Sequence, residues 1–167
     1  FQQLSAWIAR GTYFLTDSFL PESGWYFYVT ALLMSIIWVI TIRMVAELAG
    51  NRIWDTLLVA GSPLLIVHAF TNWDIPSIFF AVAALLAARN GKFTLAGVMI
   101  GLGTAFKMWP LFLLGAYLVI AIRKRDLVPF FKMVGATAIT WIAVNAPVYL
   151  RYPDAWSEFN RLNTDRG

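Results

Sequence analysis

Asp74 sits in the stretch Thr71-Asn72-Trp73-Asp74-Ile75-Pro76, at the mouth of a short apolar run. A carboxylate there is costly unless it has a partner or meets water. Asp74 is therefore the candidate catalytic residue, with Asn72 and Trp73 beside it as candidate substrate-binding residues. The same residues also suit helix capping by Asn72 or Asp74, with Pro76 in the first turn. Lys107 stands alone in Ala105-Phe106-Lys107-Met108-Trp109-Pro110, between two further apolar runs. Its ammonium could neutralise a phosphate presented by a lipid headgroup, or simply snorkel from a helix end. His68, the chain's single histidine, closes an apolar run and is a candidate substrate-binding hydrogen-bonder more than a base.

The elements that must position these residues follow from composition. The chain has 167 residues, 60% apolar and 13% charged, with a mean hydropathy of +0.68. A soluble domain is roughly half apolar and roughly a quarter charged, so the excess calls for a solvent other than water. The absence of cysteine excludes a disulfide framework and thiolate metal sites. A net charge of +4 from scattered residues is no nucleic-acid footprint. Phe1 is not a methionine, and no basic region precedes an apolar stretch, so the sequence reads as part of a longer chain.

A bilayer core of about 30 Å needs about 20 apolar residues in a helix. Two uncharged runs of 18 residues approach this, Trp25 to Ile42 and Met133 to Leu150. Four shorter runs lie between them: Leu57 to Phe70, Ile75 to Ala88, Phe93 to Phe106 and Met108 to Ile122. At about 21–23 Å each, these need snorkelling flanks or a protein-enclosed cavity. The pattern predicts an all-α, polytopic integral membrane protein with about six transmembrane helices over residues 25–150. Residues 1–24 are expected to form an amphipathic helix lying in the outer interface and a loop, because Leu4, Trp7, Ile8, Leu15 and Phe19 recur near helical spacing. Residues 151–167 are expected to form a truncated exterior loop.

Charge supplies an orientation. Alternating six spans places Arg43, Arg52, Arg89, Lys92, Arg123, Lys124, Arg125 and Lys132 on one side, with only Glu47, Asp55 and Asp126 as acids. That side is cytoplasmic by the positive-inside rule. Asp74 and Lys107 then share the opposite, extracytoplasmic side. Gly97 and Gly101 form a GxxxG pair continuing to Ala105, a surface for close helix packing.

Ser62-Pro63-Leu64-Leu65, Asn72-Trp73-Asp74 and Gly97 through Gly103 leading into Lys107-Met108-Trp109-Pro110 together resemble the actinobacterial polyprenol-phosphate-mannose-dependent mannosyltransferases of glycosyltransferase family 87. The similarity extends to the closing Phe159-Asn160-Arg161-Leu162-Asn163, which adds Arg161 to the candidate substrate-binding residues. The resemblance implies a GT-C-like fold in the plasma membrane. It also implies an inverting transfer of a hexose, usually mannose, from a polyprenyl phosphate donor to a glycan or glycolipid acceptor on the outer face. The lipid-linked sugar is then a substrate, membrane lipids are the other partners, and neither cofactor nor metal is invoked. In GT-C enzymes the acid assigned as base follows the first transmembrane helix. Neither Asp17 nor Glu22 matches that context, so the resemblance places the base upstream of Phe1 and leaves the chain alone inactive. Asp74 becomes a second acid that orients the acceptor or holds Lys107, or the base itself.

Two other classes compete. A transporter or flippase half would carry strongly polar groups at mid-helix, whereas the two long runs hold only Thr30, Ser35, Thr41, Thr137, Thr140 and Asn145 of that kind. A membrane scaffold docking through the GxxxG face would explain the glycines and leave Asp74 and Lys107 idle.

Overall fold

The computed structural model describes residues 2–13, 22–62 and 74–151, and within these every regular element is a helix. In chain order they are α1 (Gln2–Tyr13), α2 (Glu22–Ala49), a 3-10 segment (Gly50–Asp55) and α3 (Thr56–Ala60). Then follow α4 (Asp74–Arg89), α5 (Phe93–Phe106), a second 3-10 segment (Trp109–Phe112), α6 (Leu113–Lys124) and α7 (Val128–Arg151). They form two compact units, residues 1–79 and 80–167, whose boundary falls inside α4.

In the first unit α2 runs for 28 residues, about 42 Å at the helical rise. It overshoots the uncharged run at both ends, continuing past Arg43 and Glu47 because a charge does not break a helix. Gly50 ends it by turning left-handed, at φ +57°. α1 packs on α2 through small residues: Ser5 and Ala9 are buried, while Trp7 and Ile8 are exposed. Trp25 donates its indole N–H to the Thr12 hydroxyl at 3.0 Å, and the Ser5 hydroxyl approaches the Tyr26 hydroxyl at 3.5 Å. Trp7 and Ile8 therefore point away from α2, while the Leu4 side chain, Leu15 and Phe19 lie outside the described residues. Further along, Met34 and Ile75 are buried together against Ile37 and Trp38.

The second unit is built on the α5–α7 pair, its most extensive helix contact. Gly97 and Gly101 let the two backbones approach. A Cβ on Gly97 would collide with the Met133 carbonyl oxygen and lie 2.8 Å from the Ala136 Cβ, and one on Gly101 would lie 2.8 Å from the Thr137 carbonyl oxygen. Across the same contact the Thr137 hydroxyl donates to the Gly97 carbonyl at 3.0 Å. The GxxxG face is thus spent within this chain, which removes the observation that favoured a docking scaffold. Ala84, Ala87, Ala88, Ala96, Ile100 and Met133 form the buried cluster beside it.

Two turns of this unit share one geometry. After α4, the Lys92 N–H reaches the Ala87 carbonyl and the Gly91 N–H reaches the Ala88 carbonyl, with Gly91 at φ +73°. After α6, the Asp126 N–H reaches the Ala121 carbonyl and the Arg125 N–H the Ile122 carbonyl, with Arg125 at φ +54°. Both are Schellman caps.

Among the described residues, two stretches are long and apolar enough to cross a bilayer, Gly24–Ala60 and Val128–Arg151. Only 11% of each apolar window is buried within the protein, which distinguishes them from core helices of a soluble fold. Six spans are not shown. Among the four shorter runs, Phe93 to Phe106 coincides with α5 and Ile75 to Ala88 falls within α4. Met108 to Ile122 is divided, because Pro110 opens a 3-10 segment before α6 begins. Leu57 to Phe70 begins within α3, and its part from residue 63 onward lies outside the described residues.

Candidate functional site

Lys107 terminates α5. Its backbone is extended (φ −150°, ψ 147°), and its N–H still bonds to the Gly103 carbonyl at 3.0 Å. The break comes from what surrounds it: Pro110 lacks an N–H and cannot continue a helical ladder. Gly103 makes room for that turn, since a Cβ there would lie 3.2 Å from both the Phe80 Cβ and the Pro110 Cγ. Phe80 and Phe106 stack with ring centres 5.7 Å apart, fixing the end of α5 against α4. Lys107 is half-buried, so its position is set by packed neighbours on both sides in sequence.

Next to this turn the second unit opens an apolar groove of about 320 Å³. Thr104 and Met108, which flank Lys107 in the chain, line it together with Leu111, Leu114, Thr137 and Trp141. Three elements converge there: the end of α5, the 3-10 segment leading into α6, and the middle of α7. The Thr104 hydroxyl is turned back to the Ile100 carbonyl at 2.7 Å and the Thr137 hydroxyl to Gly97. With both hydroxyls engaged, the groove offers hydrocarbon to its occupant. A groove of this composition suits an alkyl or prenyl chain, and a lysine at its end of the helix suits an anion.

Asp74 belongs to the first unit. It is the first residue of α4, half-buried, with Pro76 and Ser77 fully buried in the turn that follows. An acid in the first helical turn faces the positive end of the helix dipole, and Pro there forfeits no helical hydrogen bond. The predicted helix start is therefore observed, and it accounts for Asp74 structurally whatever else the residue does. His68, Asn72, Trp73 and Arg161 lie outside the described residues. Among the described residues no group of three or more His, Cys, Asp or Glu side chains could hold a metal ion.

Sequence reasoning missed Trp141 and Leu114 as groove residues. Trp141 lies four residues after Thr137, on one face of α7, but a tryptophan in an apolar run gives no sign of whether it faces lipid or a groove.

The described residues thus give an all-helical protein with helices long and apolar enough to cross a membrane and with an apolar groove next to the Lys107 turn. The model of Glycosyltransferase family 87 matches residues 14–167. The match covers nearly the whole chain, which belongs to this family and so to the membrane glycosyltransferases. Searches of curated proteins and of solved structures found no match.

Proposed function

We propose that the enzyme transfers a hexose, mannose by preference, from a polyprenyl phosphate donor to a glycan or glycolipid acceptor on the extracytoplasmic face of the plasma membrane. The observation that carries this reading is the apolar groove between Thr104, Met108 and Trp141 at the Lys107 turn. A lipid-linked sugar phosphate needs a hydrocarbon channel and a fixed positive charge close together. Membership of a glycosyltransferase family supplies the reaction class.

In the proposed reaction the acceptor hydroxyl oxygen attacks the anomeric carbon as the bond from that carbon to the phosphate oxygen breaks. The electron pair leaves with the polyprenyl phosphate, and a carboxylate takes the hydroxyl proton. Lys107 would neutralise the charge that grows on the departing phosphate, an electrostatic contribution made mainly in the transition state. Asp74 would orient the acceptor or serve as the base. His68, Asn72, Trp73 and Arg161 would bind substrate. The positive-inside rule supports the proposed orientation, because Arg89, Lys92 and Arg123 to Arg125 would lie on the cytoplasmic side.

The test is transfer from radiolabelled polyprenyl phosphate mannose in membranes holding the enzyme. Lys107→Ala is expected to lower turnover by about 100-fold or more, with Lys107→Arg retaining part of it and expression unchanged. Wild-type turnover in the alanine variant would remove the phosphate role. Transfer from a sugar nucleotide in place of the lipid-linked donor would overturn the donor assignment.

A further inference from the structure

The uncharged run Met133 to Leu150 holds a single amide side chain, Asn145, and the reaction proposed above gives it no role. An amide in a membrane-crossing helix is costly unless its polar atoms are engaged. The Asn145 Nδ2 donates to the Trp141 carbonyl, one turn back in α7, at 2.8 Å. That bond uses one N–H of a group that has a second N–H and an acceptor oxygen.

Spacing and register place this amide beside the groove at the Lys107 turn. The α7 residues that line the groove, Val134, Thr137, Ala138 and Trp141, recur at helical spacing, and Asn145 is next on the same stripe. It is half-buried, whereas Ile142, Ala143 and Val144 are exposed. Its height follows from the α5–α7 contact. Gly97 lies against Met133 and Ala136, and Gly101 against Thr137 and Thr140, so the two helices run parallel. The same register, continued, carries Asn145 to the level where α5 ends at Lys107.

We propose that Asn145 is a specificity-determining residue that holds a hydroxyl group of the donor's hexose, an inference that rests on the lipid-linked hexose donor proposed above. Chemistry selects the hydroxyl over the phosphate. A phosphate oxygen only accepts hydrogen bonds, and Lys107 serves it in the proposed reaction, whereas a sugar hydroxyl both donates and accepts, as an amide does. The Thr104 and Thr137 hydroxyls are turned to backbone carbonyls, so the amide is the group at this end of the stripe suited to a sugar. A few placed polar groups in an otherwise apolar site fix the orientation of its ligand.

The experiment measures transfer, in membranes holding the enzyme, from polyprenyl phosphate mannose and from analogues that each lack one sugar hydroxyl. Wild-type enzyme should disfavour one analogue by about tenfold. Asn145→Leu should lower transfer from the complete donor by a similar factor and lose the discrimination against that analogue, the non-additivity expected of groups in contact. Asn145→Ser separates this role from bracing of α7. A serine hydroxyl can bond the carbonyl four residues back, as Ser35 does to Ala31, but is too short to reach a ligand as the amide does. It should therefore behave as the leucine variant does. Wild-type turnover in Asn145→Ser, or equal losses on every donor in either variant, would overturn the assignment, and the serine variant decides even if the leucine variant fails to fold. Wild-type transfer from a sugar nucleotide alone would instead overturn the donor reading on which the assignment rests.

Discussion

Asp74 and Lys107 stood out in the sequence for a common reason, charge beside apolar runs, and the structure distinguishes them. Lys107 ends a helix beside a groove, which capping does not require. Asp74 begins one, where its charge already stabilises the helix by about 0.3–1 kcal/mol. The two roles of Asp74 separate on substitution. If it touches the acceptor, Asp74→Asn should cost at least about tenfold in turnover, equivalent to about 1.4 kcal/mol of barrier. If it only starts the helix, turnover should be unchanged and the variant should lose no more than the charge–dipole stabilisation of about 0.3–1 kcal/mol. Steady-state transfer kinetics, with thermal stability of the purified variant as control, decide between them. Both residues could be singled out by eye because charge is scarce in this chain. Trp141 could not, because tryptophan is common in apolar runs for several reasons.

The helices were legible in proportion to how sharply their ends are marked. α5 has Gly91 and Lys92 before it and Lys107 after it, and its predicted bounds hold. α2 was underestimated because its end is set by the left-handed Gly50 and not by Arg43. The interruption at Trp109–Phe112 was hidden by its own hydrophobicity, although Pro110 was in plain view. The GxxxG pair was readable as a packing face, but its partner, α7, was not, since pairing is a tertiary property. That contact gives a contrast between glycines. Gly97→Ala inserts a methyl group into the Met133 backbone and should destabilise the protein by about 1–3 kcal/mol. Gly115→Ala meets nothing within 4 Å and should be neutral or stabilising by up to about 1 kcal/mol, because alanine is the better helix former. Thermal unfolding in detergent compares the two. Equal effects would mean that the close α5–α7 approach contributes nothing to stability.

At the scale of the whole molecule, the surface is the informative quantity. Leu58, Phe112, Ile139 and Leu150 are each at least 70% exposed, an arrangement that water would penalise and lipid favours. Composition alone made this legible. The number of spans was not, because runs of 14 or 15 residues are compatible with either a short span or a buried helix. Orientation is testable directly, since the chain has no native cysteine. Single cysteines at positions 109 and 157 should react with an impermeant thiol reagent added from outside intact cells, and one at 124 should react only after permeabilisation. Labelling at 124 in intact cells would reverse the orientation and, with it, the side on which the proposed reaction takes place.

The paired Schellman turns bear on how such a protein is threaded into a bilayer. Gly91 and Arg125 occupy the same backbone position of the same motif, and both are left-handed. For arginine that conformation costs about 1–2 kcal/mol more than the right-handed one, a cost glycine avoids. The second turn therefore gives up local backbone stability while keeping three consecutive cations, Arg123, Lys124 and Arg125. On the proposed orientation, a glycine there would ease the finished fold and remove one of the charges that hold this loop back during insertion. The left-handed arginine would then mark a place where the requirements of getting into the membrane and of resting there diverge, with the residue present favouring the former.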